Sequence, residues 1–160
     1  MRLQLIAVGR LKAGPERDLF ERYAKRLADA TRAVGIAGFE CREVDEGRAR
    51  RPEDRQAEEA RAIRAAVPAG ARLALCDERG KSLTSVEFSA EIGAARDQGD
   101  AAYVLVLGGP DGLDPKLRAE AHRLIAFGAM TWPHQLARIM AAEQAYRALT
   151  ILAGHPYHRA

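Results

Sequence analysis

Three short stretches combine glycine, polar and aromatic residues directly after apolar runs, and they are the first candidates for chemistry. They cover residues 76–81, 108–113 and 127–133. In open parallel sheets, ligands bind beyond the carboxyl ends of the strands, where such loops expose backbone groups. The three glycines of the second stretch would let the main chain approach a ligand, but a tight strand-to-helix turn needs glycine equally. This loop alone leaves a ligand site and a structural turn both open.

The same stretches lack the motifs of several enzyme classes. Residues 108–113 read Gly-Gly-Pro-Asp-Gly-Leu, which has neither the GxGxxG spacing nor the Gly-Lys-Ser/Thr ending of a phosphate-binding loop. The chain has no HExxH motif, no nucleophile elbow and no Cys/His set at zinc-binding spacing. A mononucleotide kinase is therefore disfavoured, a hydrolase and a metalloenzyme lose most of their support, and no metal is expected.

The C-terminal part of the chain carries side chains that can do more than pack. Glu143 and Arg147 stand four residues apart on a predicted helix, in the favourable order for an ion pair, and His134 and Arg138 have the same spacing. Residues 156–159 read Pro-Tyr-His-Arg. An aromatic ring can stack on a base, an imidazole can transfer a proton and a guanidinium can contact a phosphate. A solvated helix face and an inert terminus are the alternatives.

Length, composition and charge set the broad class. The 160 residues, 48% of them hydrophobic, suit a single domain spanning 1–160. The net charge of +3 is too small to establish a nucleic-acid partner, although arginines cluster at 48, 50, 51 and 55. That cluster fits phosphate binding or simply a solvated surface. The sequence predicts neither a membrane span nor a signal peptide, so we expect a cytoplasmic protein. Cys41 and Cys76 are expected to be core thiols rather than a disulfide.

Predicted strands and helices alternate along the chain, which indicates an α/β domain with helices on both faces of a mainly parallel sheet. A strand near the sheet edge is predicted over residues 36–44, and residues 77–81 read as a polar turn. Thr84 and Glu87 have the spacing of a helix capping box. The other predicted strands cover 3–8, 72–76, 101–107 and 124–127, and the predicted helices cover 15–27, 53–67, 84–96, 115–121 and 134–152.

Taken in order, five segments resemble one family across essentially the whole chain. They cover residues 1–9, 108–113, 130–138, 143–148 and 155–158. The family is the bacterial ribosomal RNA large subunit methyltransferase H family, which modifies a pseudouridine in 23S RNA. Each segment alone is weak, whereas the five in this order and in a chain of this length are specific.

The resemblance implies a SPOUT-type α/β knot, in which the C-terminal part forms a trefoil knot, although knots are rare in proteins generally. It also implies a homodimer, methylation of N3 of a pseudouridine in 23S ribosomal RNA, and S-adenosylmethionine as methyl donor. Two positions depart from the family pattern: Cys76 stands where Leu is frequent, and Gly128 where Ser is common. Carried over by position, the cofactor contacts are Cys76, Gly108, Phe127, Gly128, Ala129, Met130, Thr131 and Trp132.

The same resemblance assigns roles to the C-terminal side chains. The N3 of pseudouridine is an imide nitrogen that carries a proton at neutral pH, so a base or surroundings that stabilise the anion should help. His158 is the first candidate for proton transfer and Tyr157 for stacking or orienting the base. Three arginines could hold phosphates or stabilise developing charge, with Glu143 fixing one of them. These arginines are Arg138, Arg147 and Arg159.

Three other interpretations stay open. Another SPOUT methyltransferase, acting on a different RNA nucleotide, would keep the fold and the cofactor. A ribosome-associated binding module with this fold need not bind S-adenosylmethionine at all. An unrelated flavodoxin-like nucleotide binder is disfavoured by the missing phosphate motif.

Overall fold

In the computed structural model, which describes residues 1–158, short apolar segments form a five-stranded sheet. The strand order is β2-β1-β4-β3-β5, and all four pairings are parallel. The central strands β1 and β4 are buried almost throughout, because both faces of the sheet are covered. The predicted edge position of β2 is confirmed. The strands are β1 Arg2–Val8, β2 Phe39–Val44, β3 Arg72–Lys81, β4 Ala102–Leu107 and β5 Arg123–Ile125.

Helices cover both faces of the sheet, as predicted. Successive side chains of a strand point to opposite faces, and they divide here between two apolar clusters. One cluster contains residues of α1, α3 and α5, including Phe20, Ile92 and Leu149. The other contains residues of α2 and α4, including Ile63 and Leu117. The helices are α1 Pro15–Ala30, α2 Pro52–Ala66, α3 Ser85–Asp97, α4 Pro115–Glu120 and α5 His134–Leu152, with a 3-10 turn at Thr31–Val34.

Local sequence signals fix where several helices begin. Proline occupies the first turn of α1, α2 and α4, where its missing N–H has no helical partner to lose. The predicted capping box of α3 is present: the Thr84 hydroxyl accepts from the N–H of Glu87 at 3.1 Å, and the Glu87 carboxylate accepts from the N–H of Thr84 at 2.7 Å. The Thr84 N–H, Lys81 and the Thr84 hydroxyl all donate to the Glu87 carboxylate and lower its pKa to about 2.

The prediction of a polar turn over residues 77–81 was wrong. Strand β3 continues to Lys81, and β5 pairs with it at both Cys76 and Lys81 across an irregularity in the register. A Cβ atom on Gly80 would lie 2.5 Å from backbone atoms of Leu124 and Ile125, so this close passage requires glycine. Smaller differences concern element ends: β2 begins at Phe39 rather than at residue 36, because Ile36 closes a turn by donating its N–H to the Thr31 carbonyl.

Three further findings concern membrane spans, metal sites and the two cysteines. No helix among residues 1–158 is long and apolar enough to cross a membrane. Within the same range, no group of His, Cys, Asp and Glu side chains could hold a metal ion. Cys41 and Cys76 are free thiols, as predicted, and burial raises their pKa to about 11 and about 12 respectively.

Candidate active site

A cavity of about 470 Å³ lies at the carboxyl end of the sheet. Most of its lining comes from the three stretches singled out in the sequence: the end of β3, the loop after β4 and the loop after β5. Ala129 is the one predicted cofactor contact that is absent from this lining. The predicted contacts that do line it are Cys76, Gly108, Phe127, Gly128, Met130, Thr131 and Trp132.

The glycine loop after β4 is shaped by packing against its own neighbours. A Cβ atom on Gly108 would lie 2.9 Å from Cγ of Leu113. A Cβ atom on Gly109 would lie 3.0 Å from Glu59 and from Val8. Gly112 has a φ of +80° and donates its N–H to the Gly109 carbonyl. Glycine at 108 therefore makes room for Leu113, itself part of the cavity wall, and a larger residue there would move that wall.

The loop after β5 exposes its backbone. Among the described residues, no backbone N–H or C=O between 128 and 132 has a backbone partner. The indole N–H of Trp132 donates to the Phe127 carbonyl at 3.0 Å, which closes the loop on itself. Gly128 has a φ of +99°, where an L side chain is strained, so this conformation favours glycine. Met130 and Trp132 are exposed apolar side chains on the cavity wall.

Charged residues that the sequence did not single out individually also line the cavity. Asp77 is largely buried and pairs with Arg118 of α4 at 3.4 Å. Glu78 and Arg79 follow on the extended end of β3, and both are exposed. Asp77, Glu78 and Arg79 lay within the suspected stretch 76–81, whereas Arg118 had no local signal, because its partner is 41 residues away. The cavity thus offers both signs of charge beside open backbone groups.

A second cluster joins the end of the chain to α5. The Tyr157 hydroxyl donates to Oε1 of Glu143 at 3.1 Å, and Arg147 donates to the same oxygen from Nε at 3.0 Å and Nη2 at 2.5 Å. The Tyr157 ring packs edge-on against Tyr146 at 4.7 Å between centroids, with the Arg147 guanidinium 5.0 Å from the ring centre. Burial, together with Tyr23 and Glu143, raises the pKa of Tyr157. The ion pair predicted from spacing is present.

The chain matches one protein family over almost its whole length. The profile of the family described as predicted SPOUT methyltransferase matches residues 1–158. The ribosomal RNA large subunit methyltransferase H of Rhodopseudomonas palustris strain HaA2 is 54% identical over 100% of both chains. The corresponding protein of Beijerinckia indica is 53% identical, again over 100% of both chains. The chain belongs to the SPOUT methyltransferases.

A solved structure agrees with this assignment of the fold. The probable methyltransferase from Bordetella pertussis Tohama I superposes with a TM-score of 0.50 at 16% identity, over 92% of this chain and 94% of that one. The predicted family and fold class are confirmed. The threading that makes the trefoil knot stays a prediction from the family.

Arg138 does not have the surroundings predicted for it. In this SPOUT methyltransferase the side chain is 1% exposed and its guanidinium donates to Glu43 at 2.5 Å and to the carbonyls of Gly9 at 2.8 Å and Val8 at 3.3 Å. A phosphate has no access to a group enclosed in this way. The geometry makes Arg138 a positioning residue that ties α5 to the carboxyl ends of β1 and β2.

In the single chain, the C-terminal tail, residues 155–158, does not line the cavity. Neither Tyr157 nor His158 lines it. Nδ1 of His158 is buried without a hydrogen-bond partner among the described residues, which is unusual for a buried nitrogen. Arg159 lies outside the described residues. The cofactor loops and the proposed base therefore form two separate groups on one chain.

Proposed function

We propose that this chain transfers a methyl group from S-adenosylmethionine to N3 of a pseudouridine in 23S ribosomal RNA, in the cytoplasm. The observation that carries the proposal is the cavity: three loops, far apart in sequence, line one space of about 470 Å³, within the range of small-molecule sites. Relatives 54% identical over their whole length are named as large-subunit ribosomal RNA methyltransferases.

The residues of the cavity fit the cofactor. When bound, S-adenosylmethionine supplies an electrophilic sulfonium methyl group, so the protein has to align and shield it rather than activate it. The free backbone groups of residues 128–132 suit recognition of an adenine edge. Met130 and Trp132 offer apolar surface that can cover the ligand and exclude water. Backbone recognition also tolerates the family departures at Cys76 and Gly128.

The cluster formed by the end of the chain and α5 suits the pseudouridine that accepts the methyl group. His158 is proposed to take the N3 proton, since an imide nitrogen must lose it to become a good nucleophile. The phenol of Tyr157 is protonated at neutral pH, as an ordinary tyrosine is and all the more with its raised pKa, and it donates to Glu143. Tyr157 therefore holds the tail on α5, and Arg147, already fixed by Glu143, is proposed to stabilise negative charge on RNA. Arg159 is proposed to contact phosphate.

A homodimer would bring the cofactor loops of one copy close to the C-terminal tail of the other. His134 lines the cavity and Glu143, which holds the tail, lies nine residues farther along α5, a rise of about 14 Å. We propose that the tail of one copy completes the cavity of the other. A largely apolar groove of about 380 Å³ extends between the two regions, lined by Tyr23 and Glu143 as well as by Phe127 and Gly128. We propose that a second copy covers this groove.

Two measurements test the proposal. Ribosomal particles from a strain lacking this protein are incubated with the enzyme and labelled S-adenosylmethionine, and the RNA is mapped by mass. One added methyl group on a pseudouridine is expected. Methylation of another nucleotide would point to a different SPOUT specificity, and failure to bind S-adenosylmethionine would leave a binding module. Sedimentation should give a dimer; a monomer at micromolar concentration would refute the composite site.

A further inference from the structure

The segment between β2 and α2 has no regular secondary structure, yet its backbone is firmly held. We refer to residues 47–51 as the arginine loop. The N–H of Gly47 donates to Oε1 of Glu59 at 2.9 Å. The N–H groups of Arg48 and Ala49 donate to Oε2 of Glu58 at 2.8 and 3.3 Å. Three consecutive backbone donors are thus bound by two carboxylates of α2, which fixes the path of the loop.

Arg55 fastens this loop to the wall of the cofactor cavity. Its Nη1 donates to the carbonyls of Ala49 and Arg50, both at 3.1 Å. Its Nε and Nη2 donate to the two carboxylate oxygens of Asp111 at 2.6 and 2.9 Å, a bidentate geometry that restricts both partners. Asp111 lines the cavity, and Arg55 lowers the pKa of its carboxyl group. The arginine loop and the glycine loop therefore form one connected unit.

Gly47 and Gln56 make the connection tighter. A Cβ atom on Gly47 would lie 2.6 Å from Cα of Arg55, so the loop rests directly on the helix backbone. Nε2 of Gln56, also a cavity residue, donates to the carbonyl of Asp111 at 2.5 Å. These contacts leave the loop little freedom to move relative to the cavity.

Two guanidinium groups project from this fixed backbone with no side-chain partner among residues 1–158. Arg48 and Arg50 are exposed, and among the described residues neither side chain forms an ion pair. Arg51, their neighbour, is already paired with Asp54 at 2.8 Å. Guanidinium groups match phosphate oxygens in shape and charge. Presentation from a fixed backbone reduces the conformational entropy lost on binding.

We propose that Arg48 and Arg50 bind phosphates of the RNA substrate beside the cofactor cavity, and that the Arg55–Asp111 pair sets where they lie relative to that cavity. This inference rests on the proposed function, which makes RNA the substrate. It adds a contact surface that lies far from the C-terminal tail in the sequence. Phosphate contacts position an RNA without reading its sequence, so the arginine loop contributes orientation and affinity, whereas the base is selected elsewhere.

The double change Arg48→Gln and Arg50→Gln tests the surface. We expect kcat/KM for ribosomal particles to fall roughly tenfold at moderate salt, mainly through KM. The slope of log affinity against log salt should flatten by about 1.4 to 1.8 for two lost contacts. The affinity for S-adenosylmethionine, measured by calorimetry, should be unchanged. The control is Arg2→Gln with Arg32→Gln, which removes the same charge from exposed arginines at the opposite, amino-terminal end of the sheet.

The outcomes separate this inference from the proposed function. If the parent enzyme methylates the particles and the Arg48/Arg50 variant keeps its KM and salt slope, the arginine loop is not a contact surface. An equal loss in the control would reduce the effect to net charge and would overturn the inference as well. If the parent transfers no methyl group, the proposed function fails, and RNA binding measured without cofactor still decides whether the two arginines matter.

Discussion

Replacement of Arg138 by methionine tests how α5 is held against the sheet. Methionine matches the length of the aliphatic part of arginine, but it lacks the guanidinium group and has no hydrogen-bond donor. The change removes the donor to the Glu43 carboxylate and to the carbonyls of Val8 and Gly9. We expect the folded protein to lose stability while the apolar packing of α5 is largely kept.

The loss in free energy of unfolding depends on how deeply the acceptors of Arg138 are buried. Removing one partner of a buried ion pair costs about 3–5 kcal/mol. The Glu43 side chain is 35% exposed, so water can replace part of its lost contact, and we expect about 3 kcal/mol. For a chain of this length the melting temperature should then fall by about 6–12 °C.

Urea unfolding of parent and variant is compared at one fixed protein concentration, because association makes the apparent free energy of unfolding depend on concentration. The matched control is Arg147→Met, which removes a half-buried guanidinium from Glu143 on the same helix and should cost about 1 kcal/mol. An Arg138→Met enzyme as stable as the parent, with a flattened salt dependence of RNA binding, would refute the buried role and restore phosphate contact.

The remaining predictions concern the cavity, the tail and a helix cap. Gly108→Ala should weaken S-adenosylmethionine binding in calorimetry, and adding Leu113→Ala should recover part of the affinity, because the new methyl group meets Leu113 first; unchanged affinity would place the cofactor elsewhere. His158→Ala should depress methyl transfer most near neutral pH and less as rising pH ionises the imide, whereas a defect confined to salt-sensitive binding would leave His158 an RNA contact only. Thr84→Ala should lower the free energy of unfolding by about 1 kcal/mol at neutral pH. The pKa of Glu87 is depressed to about 2 in the folded state, so the cap stabilises the fold fully above the unfolded pKa of about 4.3. This contribution is lost as the pH falls toward 2. Urea unfolding of parent and variant at several pH values checks the trend.

Sequence patterns predicted those elements whose cause is local. Strand β4 is an uninterrupted apolar run, and such a run fits a strand buried on both faces. Helix α5 spans His134–Leu152 as predicted, since Pro133 keeps the preceding residue out of the helix and Gly154 follows its end. The capping box of α3 is likewise a relation between residues three apart. In each case the information lies within a few residues of the boundary.

The end of β3 shows why other features escaped prediction. Residues 77–81 are charged or glycine, a composition typical of a turn. They become strand because β5, more than 40 residues later, pairs with Lys81 and passes Gly80 at a distance that only glycine allows. A single sequence contains no record of that partner, so composition pointed to the wrong structure.

The partners of the arginines likewise depend on the fold when they are distant in sequence. Spacing of four residues on one helix predicted the Glu143–Arg147 pair, because both groups share a helix face. Arg55 and Arg138 reach acceptors 56 and 95 residues away, and only the fold decides that one fastens a loop and the other is enclosed. Arg48 and Arg50, by contrast, are left free among the described residues. A guanidinium available to RNA is therefore identified by its lack of internal partners, which requires the structure, and not by its place in an arginine-rich stretch.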